Sequence, residues 1–70
     1  MKDDLKKRVG KRVQSLRKAK GMTQEELAEK IDKTVETVSN IERGVKLPGL
    51  QTLEEIRKAL GVNLSEIIDS

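Results

Sequence analysis

Cysteine and histidine are both absent from this 70-residue sequence, and so are phenylalanine, tyrosine and tryptophan. Without cysteine there are no disulfides. Without either residue zinc would have only carboxylates, which make poor zinc sites. No metal and no cofactor are therefore expected. There is no Gly-rich phosphate loop, and so short a chain has little volume for a deep pocket, so an enzyme is not expected either. No apolar run exceeds two residues, which excludes a membrane span and a signal-peptide core. Missing cysteine also suits a reducing cytosol.

The remaining material is aliphatic and charged. One domain spanning residues 1–70 fits the length, near the lower limit for folding without staples. With no aromatic ring, the core must be built from Leu, Ile, Val and Ala, which favours packed helices. The net charge is +3, unevenly placed: residues 1–20 hold nine bases and two acids, whereas the remaining fifty residues hold six bases and ten acids. A basic segment such as Lys6 to Arg12 is either a solvated helix face or a flank near phosphate.

Spacing and caps predict five helices, over about 4–20, 24–31, 35–43, 50–60 and 64–69. In the first, Leu5, Val9, Val13 and Leu16 share a face. Asp3 and Asp4 suit its positive end, Lys18 and Lys20 its negative end, and Gly21 its left-handed cap. Gly10 interrupts the helix and predicts close packing. Thr23-Gln24-Glu25-Glu26 is a capping box that starts the second helix, where Leu27, Ala28 and Ile31 form the stripe. A short turn, Asp32-Lys33, leads to Thr34, which caps the third helix. Its inward residues are Val38 and Ile41. Val45 to Gly49 form a loop ended by Pro48. The fourth helix carries Leu50, Leu53, Ile56, Ala59 and Leu60, and Asn63-Leu64-Ser65-Glu66 starts a short fifth.

Residues 23–44 thus form two short helices joined by a tight turn, which cross steeply around the small Ala28. The second of the pair faces outward and fits a DNA major groove. At 100° per residue, with Val38 inward, Glu36, Asn40 and Arg43 lie opposite, Thr37 and Ser39 on the flanks, and Val35 and Glu42 toward the core side. Asn40 can pair with adenine, and Arg43 with guanine or a phosphate. Otherwise Asn40 is a cap and Arg43 a charge suited to the helix end. Val35 meets a thymine methyl or closes the core edge. Glu36 accepts from cytosine or serves solubility.

The blocks Thr23-Gln24-Glu25-Glu26-Leu27-Ala28 and Ser39-Asn40-Ile41-Glu42-Arg43-Gly44, at this spacing, resemble the helix-turn-helix of the phage repressor and Cro family. The resemblance covers about residues 9–68. It implies an all-α, five-helix DNA-binding domain and a cytoplasmic transcriptional regulator of bacterial, archaeal or phage origin. It implies base contacts from Val35, Glu36, Thr37 and Asn40. Backbone contacts are implied for Gln24, Arg43, Lys46 and the start of the fourth helix, and are expected of Lys33 and Thr34 at the turn. Arg17 and Glu42 match a structural ion pair joining the first and third helices. Asp32 stands where the family often has glycine, and Val35 and Glu36 where it often has amides.

One such helix reads few base pairs, so a homodimer on a two-fold symmetric operator is expected. Leu64, Ile67 and Ile68 are its candidate interface, or else they close the core. The other reading is a protein-interaction module, such as an antitoxin or co-regulator that holds a protein partner. No small-molecule ligand is expected, because this chain leaves no room for a sensing domain.

Overall fold

The computed structural model describes residues 4–69, and among them there are five α-helices and no strand. Asp3, expected beside Asp4 at the first helix, lies outside the described residues, as do Met1, Lys2 and Ser70. The helices are α1 (Leu5–Ala19), α2 (Gln24–Lys30), α3 (Val35–Glu42), α4 (Leu50–Leu60) and α5 (Leu64–Ile68). Each is a residue or two shorter than the sequence-based range or equal to it, because residues such as Asp4 act as caps outside the helix.

Helix starts are fixed by side chains. Thr23 Oγ1 accepts the Glu26 N–H at 3.0 Å, and Glu26 Oε1 accepts the Thr23 N–H at 2.8 Å. Thr34 Oγ1 accepts the Thr37 N–H at 3.1 Å. These bonds satisfy amides that a helix start leaves without internal partners. At the start of α5 the Asn63 N–H donates to Glu66 Oε2 at 2.9 Å.

Four helices end in one shared way. After α1, the Met22 N–H reaches the Arg17 carbonyl at 3.1 Å and the Gly21 N–H reaches Lys18 at 2.9 Å. The same two-bond pattern follows α2, α3 and α4, with Asp32, Gly44 and Gly61 in the place of Gly21. It requires a left-handed residue. Asp32 supplies one at φ 57°, without being glycine, as a short polar side chain allows. This keeps the α2–α3 turn tight: the Lys33 N–H bonds the Ala28 carbonyl at 2.9 Å.

The core is aliphatic throughout. α1 contributes Val9 and Val13, α2 contributes Leu27 and Ala28 with Ile31 at its end, and α3 contributes Val38 and Ile41. From the other side come Leu53, Ile56 and Leu60 of α4 and Ile67 of α5. α1 is the central strut, packing on α3, α4 and α5, while α2 packs on α3 and α4. Two expected stripe residues are corrected here. Leu5 and Leu50 are exposed, because each opens its helix and projects beyond the packed layer. The inward line of α1 runs Val9, Val13, Arg17 instead.

Gly10 is buried where α1 meets the end of α3. A Cβ built on it would stand 2.2 Å from the Ile41 carbonyl oxygen and 2.8 Å from that of Glu42. Both obstacles are backbone and cannot swing aside. A Gly10→Ala substitution is therefore expected to destabilise the fold by about 1–3 kcal/mol through overpacking, although alanine is the better helix former by about 1 kcal/mol. Urea denaturation followed by circular dichroism measures this, and unchanged or raised stability would contradict the close approach.

Candidate nucleic-acid interface

α3 is oriented by what it buries. Val38, Ile41 and Glu42 face inward, whereas Glu36 and Arg43 are exposed and Thr37, Ser39 and Asn40 are half-buried. Val35 is 39% exposed. The helical wheel placed it toward the core, but it opens the first turn and borders a cleft lined by Arg17, Thr23, Gln24 and Glu25. The Thr37 hydroxyl lies 3.0 Å from the Thr34 hydroxyl, so these two side chains share one hydrogen bond at the helix start.

Glu42 is the hub of this region. Arg17 Nε donates to its Oε2 at 2.6 Å and Arg17 Nη2 to its Oε1 at 3.1 Å. The pair is nearly inaccessible to solvent. Arg17 Nη1 also donates to the Met22 carbonyl at 2.6 Å. That third bond had no marker in the sequence, because a main-chain acceptor has no residue-type preference. Its hydrogen bond to Glu42 holds the Arg17 guanidinium above its ordinary pKa, against the opposing effect of burial. A raised cationic pKa means the contribution is fully present at every pH below the ordinary value, so this lock does not respond to pH in the neutral range.

Gln24 joins the same carboxylate. Its Nε2 donates to Glu42 Oε1 at 3.0 Å. A primary amide has two N–H groups, so the second is left for an external acceptor. The α2 start is thereby tied to α3 through a side chain singled out in the sequence for DNA alone.

A second cleft lies at the other edge of α3. Lys33, Thr37, Ile41, Lys46, Pro48, Gly49 and Thr52 line it. Lys46 is placed by its backbone: the Asn40 carbonyl accepts the Val45 N–H at 2.9 Å and the Lys46 N–H at 3.3 Å. Gly49 precedes α4 without a side-chain cap, so amides of that first turn have no side-chain acceptor. Two lysines and an open helix start make an anion-binding arrangement. The structure thus gathers Lys33, Thr34, Thr37, Asn40 and Lys46 around α3, with Gln24 and Val35 at the opposite edge.

The candidate dimer residues are not gathered into an exposed patch. Ile67 is 0% exposed and belongs to the core, while Leu64 and Ile68 are half-buried against it. Ile67 is therefore corrected to a core residue, since a chain without aromatics needs its terminal helix to seal the α1–α4 groove. Arg12 contributes to that seal by donating to the Glu66 carbonyl. The Arg57–Glu54 pair on α4, at 2.7 Å, is a surface contact that lowers the Glu54 pKa.

Removing one member of the buried pair leaves an uncompensated charge. Arg17→Met and Glu42→Leu are each expected to cost about 3–5 kcal/mol, enough to unfold a domain this small. The double variant is expected to recover part of that loss, because an apolar pair avoids the desolvation cost. Urea denaturation of the three variants tests this. Single-variant losses below about 1 kcal/mol, the range of exposed pairs, would contradict it.

A model of the helix-turn-helix family matches residues 13–67. The immunity repressor protein of Bacillus phage phi105 is 40% identical over 60 residues, which is 86% of this chain and 42% of the repressor. The chain thus spans less than half of that relative's length. The HTH-type transcriptional regulator y4dJ of Sinorhizobium fredii, itself uncharacterized, is 38% identical over 65 residues, covering 93% of this chain and 84% of its own. Among solved structures, the clp gene regulator ClgR of Corynebacterium glutamicum superposes with a TM-score of 0.90 at 31% identity, over 93% of this chain and 69% of that one. The restriction-modification controller protein C.AhdI of Aeromonas hydrophila gives 0.84 at 34% identity, over 91% and 96%. With its turn, its two crossed helices and its buried lock all within the matched span, the chain belongs to the helix-turn-helix family of the phage repressor and Cro type, a family of DNA-binding transcriptional regulators and not of enzymes.

Proposed function

We propose that this chain reads a two-fold symmetric duplex operator as a homodimer, with α3 in the major groove, and acts as a repressor. One observation carries the reading. The outer face of α3 is open along Glu36 and Arg43, and both flanking edges offer donors suited to phosphate. On one edge are Lys33, Lys46 and the uncapped start of α4; on the other is the spare Gln24 amide N–H.

The roles follow from chemistry. Asn40 offers a donor and an acceptor that match adenine. Glu36 accepts from a cytosine amino group. Val35 supplies a methyl surface for thymine, and Thr37 serves the same edge with its own methyl. Gln24, Lys33, Thr34, Arg43 and Lys46 fix register through the phosphates, which carry position but no sequence information. No helix among the described residues is long and apolar enough to cross a membrane. We assign the regulator to the cytoplasm of a bacterium, an archaeon or a phage host. A role as an antitoxin or co-regulator holding a protein partner has no specific feature in its favour.

The test is selection of a random duplex library, followed by anisotropy titration at two salt concentrations. Enrichment of a two-fold symmetric site is expected. Asn40→Ala should weaken that site by about ten- to 150-fold, the equivalent of 1–3 kcal/mol for one lost bidentate contact, while the fold persists because alanine favours a helix. Lys46→Ala should weaken all duplexes alike and reduce the log–log salt slope by about 0.9. Absence of any enriched sequence, or full binding by Asn40→Ala, would contradict the proposal.

A further inference from the structure

Three aliphatic side chains in the stretch joining α3 to α4 have little cover. Leu50 is 81% exposed, Val45 54% and Leu47 40%. Two other large apolar residues with open surface, Leu5 and Val35, are single positions in other helices. Elsewhere the aliphatic residues lie in the core or against it. The three side chains together expose on the order of 300 Å² per copy, the size at which a surface patch is commonly an interaction site.

The same stretch supplies Lys46, Pro48 and Gly49 to the basic cleft beside α3. The patch and the cleft therefore adjoin. Phosphate offers Val and Leu neither a hydrogen-bond partner nor apolar surface. A second copy of the chain does offer apolar surface, and a two-fold contact pairs the same patch with itself. An axis beside this loop leaves both α3 helices on one side of the pair. α5 lacks that placement, because it packs on α1 and α4 and has Ile67 committed to the core.

We propose that Val45, Leu47 and Leu50 form the contact between two copies of this chain, a contact too small to hold a dimer firmly until DNA brings the copies together. The inference rests on the operator reading for its use, but its test does not require DNA. Two copies would bury on the order of 600 Å² from these side chains, against about 1,200–2,000 Å² for a stable specific interface. Each copy also brings Lys46 to the seam, where like charges repel. Salt screens that repulsion, so self-association of the free chain strengthens as salt rises, whereas binding to duplex DNA weakens.

The experiment is a dilution series of isotope-labelled protein, from about 20 μM to about 1 mM, the range in which weak pairs form. Amide shifts are followed at low and high salt, for the parent chain and for Leu50→Gln. Concentration-dependent shifts centred on residues 45–50 are expected, larger at high salt. Leu50→Gln should weaken self-association by about tenfold or more, since it removes an apolar side chain from both sides of the contact. Leu50 lies outside the core, so an unchanged melting curve checks that the variant is folded. Shifts centred on residues 64–68, no shifts at the highest concentration, or full association by Leu50→Gln would overturn the proposal. Self-association through residues 45–50 in a chain that enriches no duplex would uphold the contact and remove the operator reading.

Discussion

Arg17 and Glu42 are taken almost completely out of water, and the rest of the molecule is arranged around the cost of doing so. Desolvating two ions costs several kcal/mol each, and mutual attraction offsets it only when geometry is good and remaining donors are satisfied. Here two guanidinium nitrogens meet the carboxylate, a third meets the Met22 carbonyl, and Gln24 completes the shell of Glu42. One cluster thus ties α1, the start of α2 and the end of α3. An aliphatic side chain at position 42 would fill space in several rotations of α3. A carboxylate facing a fixed guanidinium accepts only one. That rotation puts Val38 and Ile41 inward and leaves Glu36 and Arg43 outside.

Packing enforces the same geometry by different means. Gly10 lets α1 approach the carbonyls of Ile41 and Glu42, next to the ion pair. Gly44, left-handed at φ 76°, leaves room for Lys7, whose Cγ would be 2.7 Å from an added Cβ. Because the core has no rings, its area comes from many small contributions, and every helix including five-residue α5 must take part. The two-bond helix endings keep the connections short. The recognition face is therefore a consequence of rigidity in the α1–α3 contact, with the turn at Asp32 and the loop after Asn40 holding the flanking lysines in place.

Much of this was legible in the sequence because local chemistry decides it. Thr23, Thr34 and Gly21 mark helix ends through bonds within four residues. The α3 wheel placed Val38, Ile41 and Glu42 inward from spacing alone. What could not be read depends on contacts between distant positions. Leu50 continues an apolar period yet stands in solvent, since periodicity does not say where the packed layer ends. Ile67 looked equally suited to an interface or to the core, and the α1–α4 groove decided it. Gln24 donates to a residue eighteen positions away, which no local rule anticipates. Val35 falls on the core side of the wheel but opens its helix, where nothing packs above it.

The central claim is that the outer face of α3, with its two flanking edges, is the surface that meets DNA. Amide and side-chain shifts measured while a selected duplex is titrated into labelled protein test it most directly. The account predicts perturbations at Gln24, residues 33–40, Lys46 and residues 49–52, with contacts between the Asn40 side-chain amide and base protons. Perturbations confined to the opposite surface, around Lys30, Glu55 and Ala59, with α3 unchanged, would contradict it.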